Sequence, residues 1–148
     1  MQVAINGLGR VGRQLLRQLQ HAPGLELVAV NDLAEPACLA HLVKHDSVHG
    51  RADFAVGHSE DSLLLGGRRV PLSREADPDR LPFGALGAQV VLECTGRFAT
   101  REQAARHLHD GVGLFDAHFQ IRKHASHNLI EIHRQERLRL GGDPRKLQ

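Results

Sequence analysis

The sequence predicts an α/β fold, a mostly parallel sheet with flanking helices, and three observations predict it. Short apolar runs at Gln2–Asn6, Leu25–Val30 and Gln89–Cys94 alternate with segments of helical periodicity, the pattern of buried parallel strands joined by crossover helices. The first run leads straight into Gly7-Leu8-Gly9-Arg10-Val11-Gly12, a complete G-x-G-x-x-G. The second ends in Asn31-Asp32, which puts an acid twenty residues after Gly12.

Each of these parts has a physical job. Gly7 allows a tight turn, Gly9 lets the backbone approach a pyrophosphate, and Gly12 lets helix and strand pack closely. A helix is expected from Gln14 to Gln20, with Val11, Leu15, Leu16 and Leu19 on one face, stopped by Pro23-Gly24. Its N-terminus offers free N–H groups and a positive dipole end to a pyrophosphate. Asp32, at the tip of the second strand, can accept both ribose hydroxyls of an adenosine, and its charge would repel a 2′-phosphate. That favours NAD over NADP. A G-x-G-x-x-G alone also fits a plain βαβ unit. Strand, turn, helix, second strand and acid at these spacings make the segment Rossmann-like.

The rest of the chain continues the alternation. A helix is predicted over Glu35–Lys44 with Pro36 in its first turn, and a polar loop over His45–Arg51. Strand-like pieces follow at Phe54–Val56 and Ser62–Leu65, with Gly66-Gly67 as a hairpin turn and Val70–Leu72 as its return. Asp77-Pro78 and Pro82 turn the chain, leaving room for one short helical turn. After the strand at Gln89–Cys94, Thr100 and Gln103 form a capping box for a helix running to about His109.

At 148 residues the chain is long enough for one domain with a sizeable core, which must be aliphatic because it has five Phe and no Trp or Tyr. Cys38 and Cys94 form no disulfide framework and suit a reducing compartment. Both are expected to pack in apolar surroundings rather than act as nucleophiles. The strand at the N-terminus leaves no room for a signal peptide, and no apolar run reaches membrane-spanning length. A cytoplasmic location is therefore expected, with no membrane partner.

The character of the chain changes near residue 112. Residues 1–116 carry 12 Lys/Arg and 14 Asp/Glu, whereas residues 117–148 carry 7 and 3, with four of the eleven histidines. His118, His124, His127 and His133 match no zinc-ligand spacing, so no metal site is predicted. The basic residues of this stretch have no aromatic partners for stacking, which argues against a nucleic-acid partner. Asn128 and Glu131 resemble a capping box for a helix ending near residue 140.

Four blocks carry a resemblance. They are Ala4-Ile5-Asn6-Gly7-Leu8-Gly9-Arg10-Val11-Gly12-Arg13, Val30-Asn31-Asp32-Leu33, His41 to Arg51 with its Asp-Ser-Val-His-Gly-Arg, and Glu93-Cys94-Thr95-Gly96-Arg97-Phe98. Together they resemble the N-terminal domain of glyceraldehyde-3-phosphate dehydrogenases, glycolytic oxidoreductases, over roughly residues 2–111. The third block is the most specific, since Rossmann proteins in general lack it. The resemblance implies NAD as cofactor, with Asn6, Gly7, Gly9, Arg10, Val11, Asp32, Thr95 and Gly96 around it. It also implies an arginine near the adenine, where Glu75-Ala76-Asp77-Pro78 has alanine, and Arg74 is out of register for that role.

The family's nucleophilic thiol in Ser-Cys-Thr-Thr-Asn-Cys, its activating histidine and its phosphate-binding residues do not follow Gly111. The expected organisation is therefore an NAD-binding domain over residues 1–111 and a divergent basic tail over 112–148, with a helix at 128–140. No catalytic residue is assigned. The reading is a shortened dehydrogenase-like chain, inactive alone, whose tail arises from a frameshift or rearrangement. A small NAD-sensing or subunit-pairing module is the alternative, and a complete small enzyme using His49 or Cys94 a third reading. Nothing in the sequence says whether the sugar phosphate is glyceraldehyde 3-phosphate or erythrose 4-phosphate. In the resembled fold the strand at 89–94 needs a further neighbour, which only Val112–Ala117 could supply. That segment is short and interrupted by Gly113, so the edge is expected to stay unpaired and to invite self-association into dimers or aggregates.

Overall fold

The structure, a computed structural model, describes residues 1–98, Gln103, Arg106 and the backbone of Gly113–Asp116. β1 (Gln2–Asn6) runs into α1 (Arg10–Leu19), which returns to β2 (Glu26–Asn31). α2 (Pro36–Lys44) and a two-residue ladder, β3 (His45–Asp46) with β4 (Gly50–Arg51), come next. β5 (Val56–His58), β6 (Ser62–Leu65) and β7 (Arg68–Ser73) form an antiparallel meander. A single 3-10 turn at Pro78–Arg80 precedes β8 (Val90–Glu93), and β9 (Gly113–Asp116) follows.

The described strands of the main sheet lie in the order β5-β6-β7-β2-β1-β8-β9. From β7 to β9 every pairing is parallel, and only the β5–β6–β7 meander is antiparallel. This is the mostly parallel Rossmann-like sheet expected from the sequence. The chain builds outward from β1 through β2 to β7, then crosses back to place β8 on the other side of β1. The strand order therefore reverses between β1 and β8, and a doubly wound sheet opens a crevice at the carboxyl ends of the strands at such a point.

Burial explains the strands. Val3, Ala4 and Ile5 of β1 are at most 1% exposed, because β1 has a strand on each side and a covered face above and below. On one face Ala4, Ala29 and Val91 pack against Leu81, Phe83 and Ala88 of the loop before β8. α1 packs against β1 and β2, burying Gly12, Leu15, Leu16 and Leu19 at helical i, i+3, i+4, i+7 spacing.

Several boundaries differ from those the sequence suggests. α1 begins four residues before Gln14, because Gly12 lies inside its first turn. A Cβ at Gly12 would overlap the carbonyl oxygen of Gly7, so this glycine brings the helix against the turn rather than interrupting it. β5 starts at Val56, and Phe54 instead meets the ring of His21 edge-on, with centroids 6.3 Å apart. His45–Arg51 is a small ladder rather than a bare loop. Gly66 and Gly67 have φ of +56° and +83°, as a two-residue type I′ turn requires.

β9 pairs parallel with β8, Leu92 opposite Phe115 and Glu93 opposite Asp116. Despite Gly113, the segment supplies the missing neighbour, and the outer edge of β8 is covered. Cys94 is buried as expected, but Cys38 is exposed on α2. Residues Met1–His118 form one compact unit. The helix expected between Thr100 and His109 falls mostly outside the described residues, as do the basic tail beyond Asp116 and its helix at 128–140.

Candidate functional site

A cleft of about 270 Å³ opens at the carboxyl ends of β1, β2 and β8, at the reversal of strand order. Five of the residues singled out in the sequence line it: Asn6, Gly7, Gly9, Asp32 and Thr95. Gly96 follows Thr95 with a φ of +69°. Arg10 and Val11 sit in the first turn of α1, Arg10 exposed and Val11 half-buried, and neither lines the cleft.

The glycine turn is held by the protein on one side and open on the other. Gly7 has a φ of +91°, and a Cβ there would stand 2.8 Å from Thr95 Cγ2. Its N–H donates to the Asn31 carbonyl at 2.8 Å, tying the turn to β2. At Gly9 a Cβ would meet nothing within 4 Å. Gly9 is also the N-cap of α1, whose first turn has neither a side-chain cap nor an acidic residue. The helix thus presents its amino end to the cleft with no side chain satisfying it, the arrangement that receives an anion.

Asp32 has more to do than the sequence suggested. Its Oδ2 accepts the Leu8 N–H at 2.7 Å and its Oδ1 the Ala34 N–H at 2.9 Å. The carboxylate locks the glycine turn to the end of β2, and each oxygen keeps acceptor capacity.

Beneath the cleft lies a buried polar chain that sequence reading missed. Asn6 Nδ2 donates to Glu93 Oε2 at 2.8 Å, and Asn31 Nδ2 donates to Asn6 Oδ1 at 2.8 Å. Asn31 Oδ1 in turn accepts from Ser73 Oγ and from the Glu75 N–H, both at 2.9 Å. At the other end Glu93 Oε1 accepts both the backbone N–H and the hydroxyl of Thr95. Asn6, Asn31 and Glu93 are 3%, 4% and 1% exposed. Three strands with apolar interiors each end in a polar residue, and the three stand side by side, Asn6 opposite both Asn31 and Glu93. That repetition was the signal available in the sequence.

Other candidates lie elsewhere. The Asp-Ser-Val-His-Gly-Arg stretch does not line this cleft. Asp46 accepts the backbone N–H groups of His49 and Val48 at 2.8 Å each and faces the His49 ring at 3.2 Å. These bonds, that of the His49 N–H first, lower its pKa to about 2. Arg17 of α1 donates to the carbonyls of Val43, Lys44 and Gly50 and straps the ladder to the helix. Ala76 does line the cleft, while Arg74 is drawn away to Glu35 at 2.7 Å and the Leu33 carbonyl at 3.1 Å. No group of three or more metal-ligating side chains occurs among the described residues, and no described helix is long and apolar enough to cross a membrane.

The sequence that builds this cleft is similar to that of known proteins. Residues 1–101 match the family model described as glyceraldehyde 3-phosphate dehydrogenase, NAD binding domain. The chain is 49% identical over 109 residues to glyceraldehyde-3-phosphate dehydrogenase of Clostridium pasteurianum, a match covering 74% of this chain and 33% of that one. It is 46% identical over 111 residues to the Geobacillus stearothermophilus protein of that name, covering 75% and 33%. The Pseudomonas aeruginosa counterpart is 45% identical over 116 residues, covering 76% and 35%. The chain thus spans about a third of the length of the curated relatives it matches. It belongs to the glyceraldehyde-3-phosphate dehydrogenase family, through that family's NAD-binding domain.

Proposed function

We propose that the cleft at the ends of β1, β2 and β8 binds NAD through its adenosine and pyrophosphate, and that this 148-residue chain by itself does not turn over a sugar phosphate. The observation that carries the first part is the open amino end of α1. Gly9 leaves free space that the fold does not use, over a helix terminus that no side chain caps. A pyrophosphate is the chemistry that suits it. Asp32, oriented by the Leu8 and Ala34 N–H groups, accepts the ribose hydroxyls, and Thr95 and Arg97 form the β8 wall. NAD, where bound in this family, supplies a hydride acceptor. The covalent route that the resemblance implies, through a thiohemiacetal, also needs a thiol nucleophile with a base beside it. Cys94 is buried in the cleft floor and Cys38 is exposed on α2, outside the cleft. The family's Ser-Cys-Thr-Thr-Asn-Cys is absent from the chain.

Titration of the full chain by NMR tests this reading. NAD and ADP-ribose should bind with similar strength, at roughly 0.2–1 mM, because only the adenosine and pyrophosphate contacts contribute. NADP should bind more weakly, and Asp32→Ala should narrow that gap. NAD binding much tighter than ADP-ribose would mean a nicotinamide pocket is also present. Turnover of glyceraldehyde 3-phosphate that Cys94→Ser abolishes would overturn the inactive reading. Self-association through the sheet, also proposed here, would use the rim at β9 rather than β8. A clean monomer in sedimentation at tens of micromolar would remove it.

A further inference from the structure

We propose that Glu93 is a positioning residue for the cleft, setting the direction of a buried hydrogen-bond chain that joins the β2 wall to the β8 wall. Its functional consequence rests on the NAD reading above, whereas the chain itself is a property of the fold.

The direction follows from donor and acceptor chemistry. Once ionised, a carboxylate only accepts. Among the described residues, the oxygens of Glu93 accept from the Thr95 N–H at 2.7 Å, the Thr95 hydroxyl, and Asn6 Nδ2 at 2.8 Å. Having given its NH₂ to Glu93, Asn6 has only its carbonyl oxygen to face Asn31, so Asn31 must present its NH₂. It does, at 2.8 Å.

The far end fixes the same orientation independently. Asn31 Nδ2 donates to the Glu75 carbonyl and Asn31 Oδ1 accepts the Glu75 N–H, both at 2.9 Å. Those backbone groups cannot exchange roles. Along the path from Asn31 through Asn6, each side-chain amide therefore donates toward Glu93, and neither asparagine can turn over without a donor meeting a donor.

A glutamine at position 93 breaks this order in either orientation. With its NH₂ toward Asn6, two NH₂ groups confront each other, and turning Asn6 only moves the conflict to Asn31. With its NH₂ toward Thr95, the Thr95 hydroxyl can rotate to accept it, but the Thr95 N–H loses its acceptor. The second outcome is the easier one, and it loosens the loop in which the Arg97 N–H rests on Thr95 Oγ1. Thr95 and Arg97 both line the cleft. The cleft would thus lose definition at one wall while its glycine turn and Asp32 stay in place.

The experiment uses the full chain, with ¹⁵N NMR and a titration with ADP-ribose. Glu93→Gln should displace the Thr95 backbone amide and the side-chain amide of Asn6, and weaken ADP-ribose about tenfold, the loss of one buried hydrogen bond. Ser73→Ala removes one donor to Asn31 from β7, and Ser73 does not itself line the cleft. It should shift the Asn31 and Asn6 side-chain amides and, three strands away, the Thr95 amide. A perturbation that stops at Asn31, or a folded Glu93→Gln that binds ADP-ribose like the parent, overturns the proposal. If Glu93→Gln does not fold, the Ser73→Ala resonances decide it. If the parent chain binds neither NAD nor ADP-ribose, the NAD reading falls, and those same resonances still test the coupling.

Discussion

Two polar networks of similar size occupy opposite parts of the sheet. At the cleft, Asn6, Asn31 and Glu93 are bonded to one another at the ends of central strands and are almost wholly buried. On the meander, Arg69 makes a two-pronged contact with Asp61 at 2.7 and 2.8 Å and a third bond to Ser62 at 3.0 Å. Ser59 joins both Asp61 and Ser62. The Arg69 and Asp61 side chains are 64% and 66% exposed. The geometries are comparable, and the energies should not be. Water can replace either partner of the exposed Arg69–Asp61 pair, although Ser62 beside it is buried, while a group that loses its partner under the cleft has no substitute. Geometry is therefore enforced most strongly where the ligand is expected.

The sharpest break in that contrast is a single methyl group. At Gly12 a Cβ would overlap the Gly7 carbonyl oxygen and stand 3.3 Å from Cys94 Cβ. Helix, turn and β8 meet there with no slack. Gly12→Ala should cost about 3 kcal/mol or more of stability, read as a lower urea midpoint. On the meander side, Gly57 has no atom closer than 3.6 Å to a Cβ, and its φ is not positive. Gly57→Ala should change stability by about 1 kcal/mol or less. Equal losses at the two positions would show that the cleft end is no tighter than the meander.

The next effect concerns the buried chain. Asn31→Ala leaves the Glu75 N–H, the Ser73 hydroxyl and Asn6 Oδ1 each short of a partner. With unmet polar groups costing about 1–3 kcal/mol each and some relaxation expected, the net loss should be about 2–3 kcal/mol. Arg69→Ala, which breaks three bonds on the meander, should barely move the midpoint in neutral buffer. A deletion of Asn31 as mild as that of Arg69 would mean water reaches the chain.

This contrast also marks what the sequence could and could not tell. Apolar strands announced themselves through Val3-Ala4-Ile5 and Val91-Leu92, and the glycine turn and Asp32 through their spacing. The start of α1 did not, because the apolar periodicity counted from Gln14, whereas the helix already runs through Gly12, set against the Gly7 oxygen. The function of β9 was hidden by Gly113 and by its distance along the chain from β8. Cys38, among alanines and leucines, looked like core, yet it is exposed on α2 between buried Pro36 and Leu39. Glu93 looked like the ragged end of a strand. Only the register that sets it beside Asn6 and Asn31 shows three polar ends forming one chain.

The smallest expected effect is a pH dependence on the meander. The Arg69 guanidinium, and after it the Ser59 hydroxyl, hold the Asp61 pKa below its ordinary 3.8. A carboxyl depressed in the folded state adds stability above the unfolded pKa, and loses it as pH falls through the folded value. The difference in urea midpoint between the parent chain and Arg69→Ala should therefore be small and flat from neutral pH down toward 5. It should shrink further below 3.8, as Asp61 takes up its proton in both proteins. Raised salt should reduce it in the same direction, since both side chains lie in solvent. A difference that instead persisted unchanged below 3.8 would mean Arg69 supports the meander through the packing of its alkyl stem. The exposed network would then share the structural role assigned here to the buried one.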